Sequence, residues 1–298
     1  MTYSIVARDP QSGELGVAVQ SHYFSVGPVV PWVEAGVGAV ATQAFVDVSY
    51  GPKGLELMRA GRTAEQALHA LLLADPESAR RQVAMVDAAG NVAAHTGKQC
   101  IAHAGHRVGA GVSVQANMME RDSVPDAMLA AFEATSGELA ERLLAALDAA
   151  EDQGGDIRGK QSAAIVVAAG SRDAEPWQGR LLDLRVEDHP DPLVELRRLV
   201  QLQRAYRLAD AAEHATTAGD MTAAASNIMQ AMQLAPGNAE IAFWAAIGTA
   251  MAGQLPLAKE FLAQAVSVDR RWNELVRRLP ASGMFPLTQE AIRDLTGG

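Results

Sequence analysis

The order in which strand-like and helix-like segments alternate over the first 190 residues limits the fold of this chain more than any single motif does. Residues 3–8 and 14–21 are runs rich in Ile, Val and Ala, joined by Asp9-Pro10-Gln11-Ser12-Gly13, a cluster of turn formers that predicts a hairpin. Residues 37–43 read as a third strand. From 51 to 74 the apolar residues Leu55, Leu57, Met58, Ala64, Ala67, Leu68 and Leu71 recur at helical spacing, and Thr63 with Gln66 has the form of a capping box. That predicts two helices. A second hairpin follows at 82–97, turning at Gly90, and a glycine-rich stretch through Gly105, Gly109 and Gly111 leads into VSVQANMM. Two more helices are expected at 123–135 and 138–151, closed by Gly154-Gly155, and then a last hairpin at 162–170 and 179–186. Strands followed by hairpin partners give antiparallel sheets, so the fold class is α+β, with sheets packed against helix pairs and no doubly wound parallel sheet.

His189-Pro190-Asp191-Pro192 marks a boundary, because each proline removes a backbone donor and pushes the residue before it away from helical geometry. We therefore expect domains at 1–190 and 191–298. The second is helical throughout and repeats: Gly219 and Gly253 stand 34 residues apart, and the same offset relates Ala224 to Ala258, Ile228 to Leu262 and Ala231 to Ala265. That period belongs to tetratricopeptide-type helical hairpins, whose small Ala side chains let two helices approach and whose Gly ends the first of them. An all-α, tetratricopeptide-like domain of this kind offers a groove for a peptide or protein partner, or a surface for a homo-oligomer.

The 298 residues carry a net charge of −10 with scattered Lys and Arg, which argues against nucleic acid as a partner, since such binding rests on clustered cations neutralising phosphates. No apolar run reaches the roughly 18 residues of a spanning helix, and the N-terminus opens as a strand, so a soluble, cytoplasmic protein without membrane contact is expected. The single Cys100 allows no internal disulfide. Phosphate loops, dinucleotide fingerprints and GxSxG elbows are all missing from the sequence, so no cofactor is expected.

Several polar residues stand where strands end. If Met1 is removed, Thr2 offers a hydroxyl and an α-amine on one residue, and the amine can act as base for the hydroxyl. Gln20 and Ser21 end the second strand and Gln43 the third, while Asn117 is placed to donate to an oxyanion. Asp156, Arg158, Gln161 and Ser162 form a polar group at a helix-to-strand turn, where Arg158 has the geometry to clamp a carboxylate. Each has a plainer reading as a cap, an ion pair or a satisfied strand edge. His95, Cys100, His103 and His106 are zinc-type ligands, but their spacing matches no standard zinc pattern; a metal-dependent hydrolase is the weaker alternative. Cys100 as a nucleophile has no activating neighbour in the sequence.

Five segments in order, TYSIVARDPQSGELGVAVQS, GVGAVATQA, VDAAGNVAAHTG, GGDIRGKQSAA and DLRVEDHPDP, resemble the bacterial and archaeal family known as domain of unknown function 1028, over about residues 1–192. That family resembles the N-terminal-nucleophile hydrolases. The resemblance implies a four-layer fold, two antiparallel sheets between helix pairs, and an amidohydrolase in which Thr2 attacks a small amide with Asn117 in support, while Ser21, Gln43, Asp156, Arg158, Gln161 and Ser162 line the substrate site. Some relatives carry a peptidoglycan-binding module where this chain has helical repeats. The alternative from another class is a noncatalytic assembly protein that works through those repeats.

Overall fold

The computed structural model describes residues 2–172, 179–283 and 287–297. The chain separates into two compact units, Met1–Leu199 and Val200–Gly298.

In the first unit, β1 (Thr2–Arg8), β2 (Leu15–Ser21), β7 (Gly105–Gly109), β8 (Val112–Asn117), β9 (Ser162–Ala168) and β10 (Arg180–Val186) form a six-stranded antiparallel sheet in the order β10-β9-β2-β1-β8-β7. A four-stranded antiparallel sheet, β3-β4-β5-β6, is built from β3 (Pro31–Glu34), β4 (Gly38–Ala44), β5 (Arg81–Asp87) and β6 (Val92–Thr96). The sheets stack face to face. Helices α1 (Tyr50–Arg59) and α2 (Ala64–Ala74) cover the outer face of the smaller sheet, and α3 (Val124–Ala134) and α4 (Leu139–Asp152) cover that of the larger. The layering is therefore helix, sheet, sheet, helix. Two elements escape the sequence reading: β3, which has four residues and begins with Pro, and β7, which has Gly at both ends.

Burial alternates along the strands as the pleat requires. Val6, Val17, Val19, Ala39, Ala84 and Val86 fill the space between the sheets, while Val40, Met85, Leu55 and Leu68 form a separate core under α1 and α2. The Thr63 hydroxyl accepts from the Gln66 backbone and the Gln66 side chain returns the bond, so the capping box starts α2 as expected.

The units divide inside α5 (Pro192–Thr217). Its first turns belong to the first unit: Leu196 is buried and Arg197 pairs with Glu141 and Asp148 of α4. In the second unit follow α6 (Met221–Leu234), α7 (Ala239–Met251), α8 (Leu255–Val268), α9 (Arg271–Arg278) and α10 (Gln289–Thr296). Gly219 and Gly253 both take left-handed backbone geometry, after α5 and α7. Phe243, Ile247, Phe261 and Leu262 hold α7 against α8, and Ala205, Ala231 and Ile241 form the smaller core that joins α5, α6 and α7.

Candidate functional site

The layer between the two sheets is apolar at one end and polar at the other. Along β1 the residues facing the smaller sheet run Thr2, Ser4, Val6; opposite them on β8 stand Asn117, Gln115 and Ser113, in the register Thr2↔Asn117, Ser4↔Gln115, Val6↔Ser113. Gln43 from the end of β4 and Gln82 from the start of β5 meet this group from the smaller sheet. All are buried, Thr2 at 4% exposure and Gln82 at 0%.

Burying amides requires that they satisfy one another, and here they do. Gln82 Oε1 accepts from Gln43 Nε2 at 2.7 Å and from Asn117 Nδ2 at 2.9 Å. Gln82 Nε2 donates to the Ala116 carbonyl at 2.8 Å and to Thr96 Oγ1 at 3.0 Å, and Thr96 Oγ1 in turn meets His106 Nδ1 at 2.8 Å. Ser4 Oγ donates to Gln43 Oε1 and accepts from Gln115 Nε2, both at 2.6 Å. Burial, with the Arg107 and His95 charges adding to it, lowers the His106 pKa, which favours the neutral ring.

Thr2 stands at the centre. Its hydroxyl meets that of Ser21 at 3.0 Å, and its carbonyl accepts from Gln43 Nε2 at 3.1 Å and, over a longer 3.4 Å, from Asn117 Nδ2. The structure thus brings four of the expected residues together: Thr2, Ser21, Gln43 and Asn117. Met1 lies outside the described residues. Gln82, Ser4 and Gln115 belong to the same cluster and were not foreseen.

The remaining four expected residues hold the neighbouring turn. The Asp156 carboxylate is fully enclosed and accepts from the His22 backbone at 3.1 Å, the Arg158 backbone at 3.0 Å and Arg158 Nη2 at 2.9 Å. Arg158 is therefore folded back on Asp156 instead of reaching toward a substrate carboxylate. Ser162 Oγ donates to the Tyr23 carbonyl and accepts from the Val26 backbone, fixing the loop after β2. Gln161 donates to Asp188 on the exposed side of the turn.

Backbone conformation marks the same end of the molecule. Ser25, Ala44 and Met118 are the non-glycine residues with positive φ among those described, at 58°, 69° and 56°. Ala44 directly follows Gln43 and Met118 directly follows Asn117. Such conformations cost on the order of 1–3 kcal/mol each and persist where surrounding bonds dictate them.

The four zinc-type residues are not assembled as a metal site. His95 Nε2 bonds the Ser78 carbonyl, His106 serves the amide network, Cys100 Sγ lies 3.4 Å from the Arg81 carbonyl, and among the described residues no group of His, Cys, Asp or Glu is arranged to hold a metal. Burial raises the Cys100 pKa, opposite to what an activated thiol needs. A cleft of about 640 Å³ lies elsewhere, beside Trp32, Glu34, Arg59, Arg180 and Arg185; its arginines are paired, Arg59 with Glu34 and both Arg180 and Arg185 with Asp183. It has no part in the amide cluster.

Residues 2–196 match the model of a family of unknown function, DUF1028. The chain belongs to this family. A crystal structure of a DUF1028 member, protein SPO2555 from Silicibacter pomeroyi, is similar to it with 34% sequence identity and a TM-score of 0.60, over 67% of this chain and 88% of that one. No curated protein matches the chain. The DUF1028 region carries every residue of the amide cluster and ends within α5.

Proposed function

We propose that the DUF1028 region is an amide hydrolase of the N-terminal-nucleophile kind, with Thr2 as nucleophile once Met1 has been removed. The observation that carries this reading is the position of Thr2: a hydroxyl 3.0 Å from Ser21 Oγ, at the start of a central strand, on the one polar end of the space between the sheets. The α-amine of Thr2 takes the hydroxyl proton, and Oγ1 attacks the amide carbon. A hydrogen bond from Ser21 steadies Oγ1 as it loses its proton. The tetrahedral oxyanion collapses, the amine leaves with the proton, and water hydrolyses the threonyl ester. Asn117 Nδ2 supports the oxyanion by turning from its long bond to the Thr2 carbonyl while keeping Gln82. The other expected residues then act as scaffold: Gln43 fixes the Thr2 carbonyl, and Asp156, Arg158 and Ser162 hold the loops.

The second unit is proposed as a tetratricopeptide-like partner site, supported by exposed Met221, Met229 and Trp244 on its helices. We also place the protein in the cytoplasm, where Cys100 stays reduced.

The test is amide hydrolysis by untagged protein beside Thr2→Ala and Thr2→Ser. Activity lost by at least about a thousandfold in Thr2→Ala and partly kept in Thr2→Ser is expected; equal rates in all three would exclude Thr2 as the nucleophile.

A further inference from the structure

The loops that leave the polar end of the sandwich carry a set of exposed apolar side chains, of which Phe45 has the Arg80 guanidinium 5.1 Å from its ring centre. Tyr23, Phe24, Phe45, Val48, Ile101 and Ile157 are each between 40% and 65% exposed. They come from four separate segments, and all but Val48 stand next in the chain, or by a backbone bond, to residues of the amide cluster or their neighbours. Tyr23 and Phe24 follow Ser21, and the Tyr23 carbonyl is held by Ser162. Phe45 follows Gln43 through the left-handed Ala44, and its carbonyl accepts from Arg81 Nη1 beside Gln82. The carbonyl of Ile101 accepts from the Met118 backbone, and the Ile157 backbone donates to the Met118 carbonyl, both next to Asn117.

The strand topology sets these loops as a broken ring on three sides of Thr2. Thr2 on β1 has β2 on one side and β8 on the other, with β4 and β5 across from it. Tyr23 and Phe24 stand beyond β2, Ile101 and Ile157 beyond β8, and Phe45 and Val48 beyond β4. A small polar amide would gain nothing from such surroundings, whereas exposed apolar surface gathered around a polar centre is the usual make-up of a ligand mouth. Ser25, Ala44 and Met118, with left-handed backbone, lie in or beside three of these loops.

We infer that the substrate is an amide bearing a large apolar group, a medium-chain acyl or aromatic one, seated on this ring with its amide bond at Thr2. The inference rests on Thr2 being the nucleophile, and its test separates the two.

Binding of acetamide, butyramide, hexanamide and octanamide to the Thr2→Ala protein, followed by ligand-detected magnetic resonance, reads the ring without turnover. Each pair of added methylenes is expected to tighten Kd by about tenfold while the ring buries them. Phe24→Ser/Phe45→Ser in the same background should flatten that dependence, with thermal melting confirming the fold. A Kd indifferent to chain length, or a dependence unchanged by Phe24→Ser/Phe45→Ser, would overturn the inference. So would loss of a dimer on Phe24→Ser/Phe45→Ser with the chain-length dependence intact, since the ring would then be a contact between two copies. Turnover of the same amides by the Thr2 protein reports the other reading. Tight, length-dependent binding without Thr2-dependent hydrolysis removes the nucleophile and leaves the apolar site, and hydrolysis without length dependence does the reverse.

Discussion

Asn117, the last residue of β8 in one sheet, donates from Nδ2 to Oε1 of Gln82, near the start of β5 in the other, over 2.9 Å. This bond ties the end of the larger sheet to the smaller one and orients an amide beside Thr2. Gln82→Leu removes the acceptor shared by Asn117 and Gln43, so that each of these buried donors loses its shortest bond and keeps only the longer ones to the Thr2 carbonyl and, for Gln43, the Gln115 carbonyl. The expected loss is about 2–4 kcal/mol, read as a fall in the urea midpoint without a change in slope. Gln82→Glu keeps the acceptor but faces the Ala116 carbonyl with a carboxylate. Its buried carboxyl will hold its proton above the ordinary value, so this variant should be most stable in acid and weaken as pH rises past about 4.3.

His106 gives the native protein a pH dependence of the opposite sign. Burial, helped by Arg107 and His95, depresses its folded pKa, so the unfolded chain takes up the proton first as pH falls. Its contribution to stability is therefore complete above about pH 6.5 and declines as pH drops through the window below. Melting temperatures at pH 7.5 and 5.5 should differ less in His106→Gln than in the native chain; equal differences would show that other groups set the slope.

Packing between α1 and the smaller sheet can be tested at Gly51. An alanine there gains up to about 1 kcal/mol in helix propensity. Its Cβ, however, would lie 2.3 Å from the Trp32 ring, and Trp32 is held in turn by the bond from its indole nitrogen to the Val29 carbonyl. Overpacking of this kind costs about 1–3 kcal/mol, so Gly51→Ala should lower the melting temperature by several degrees.

The layered fold was legible because its helices declare their period and its hairpins their turns, as the Thr63–Gln66 capping box illustrates. The short β3 and the glycine-bounded β7 were not, since four residues beginning with Pro or three between two glycines carry too little pattern. At the site, Thr2, Ser21, Gln43 and Asn117 stood out as polar residues closing apolar strands. Ser4, Gln82 and Gln115 did not, because alternation of polar with apolar reads as a strand with one wet face. Only the second sheet, packed over that face, turns the alternation in VSVQAN into a buried amide network. Arg158 misled for a related reason: its partner Asp156 is two residues away, and local pairing won over substrate.

The central claim, that Thr2 acts through its own amine, is tested most directly by the intact mass of untagged protein. The account predicts a chain that begins at Thr2, with Met1 removed. A fully retained Met1 would leave the amine blocked as an amide, unable to serve as base, and would contradict it.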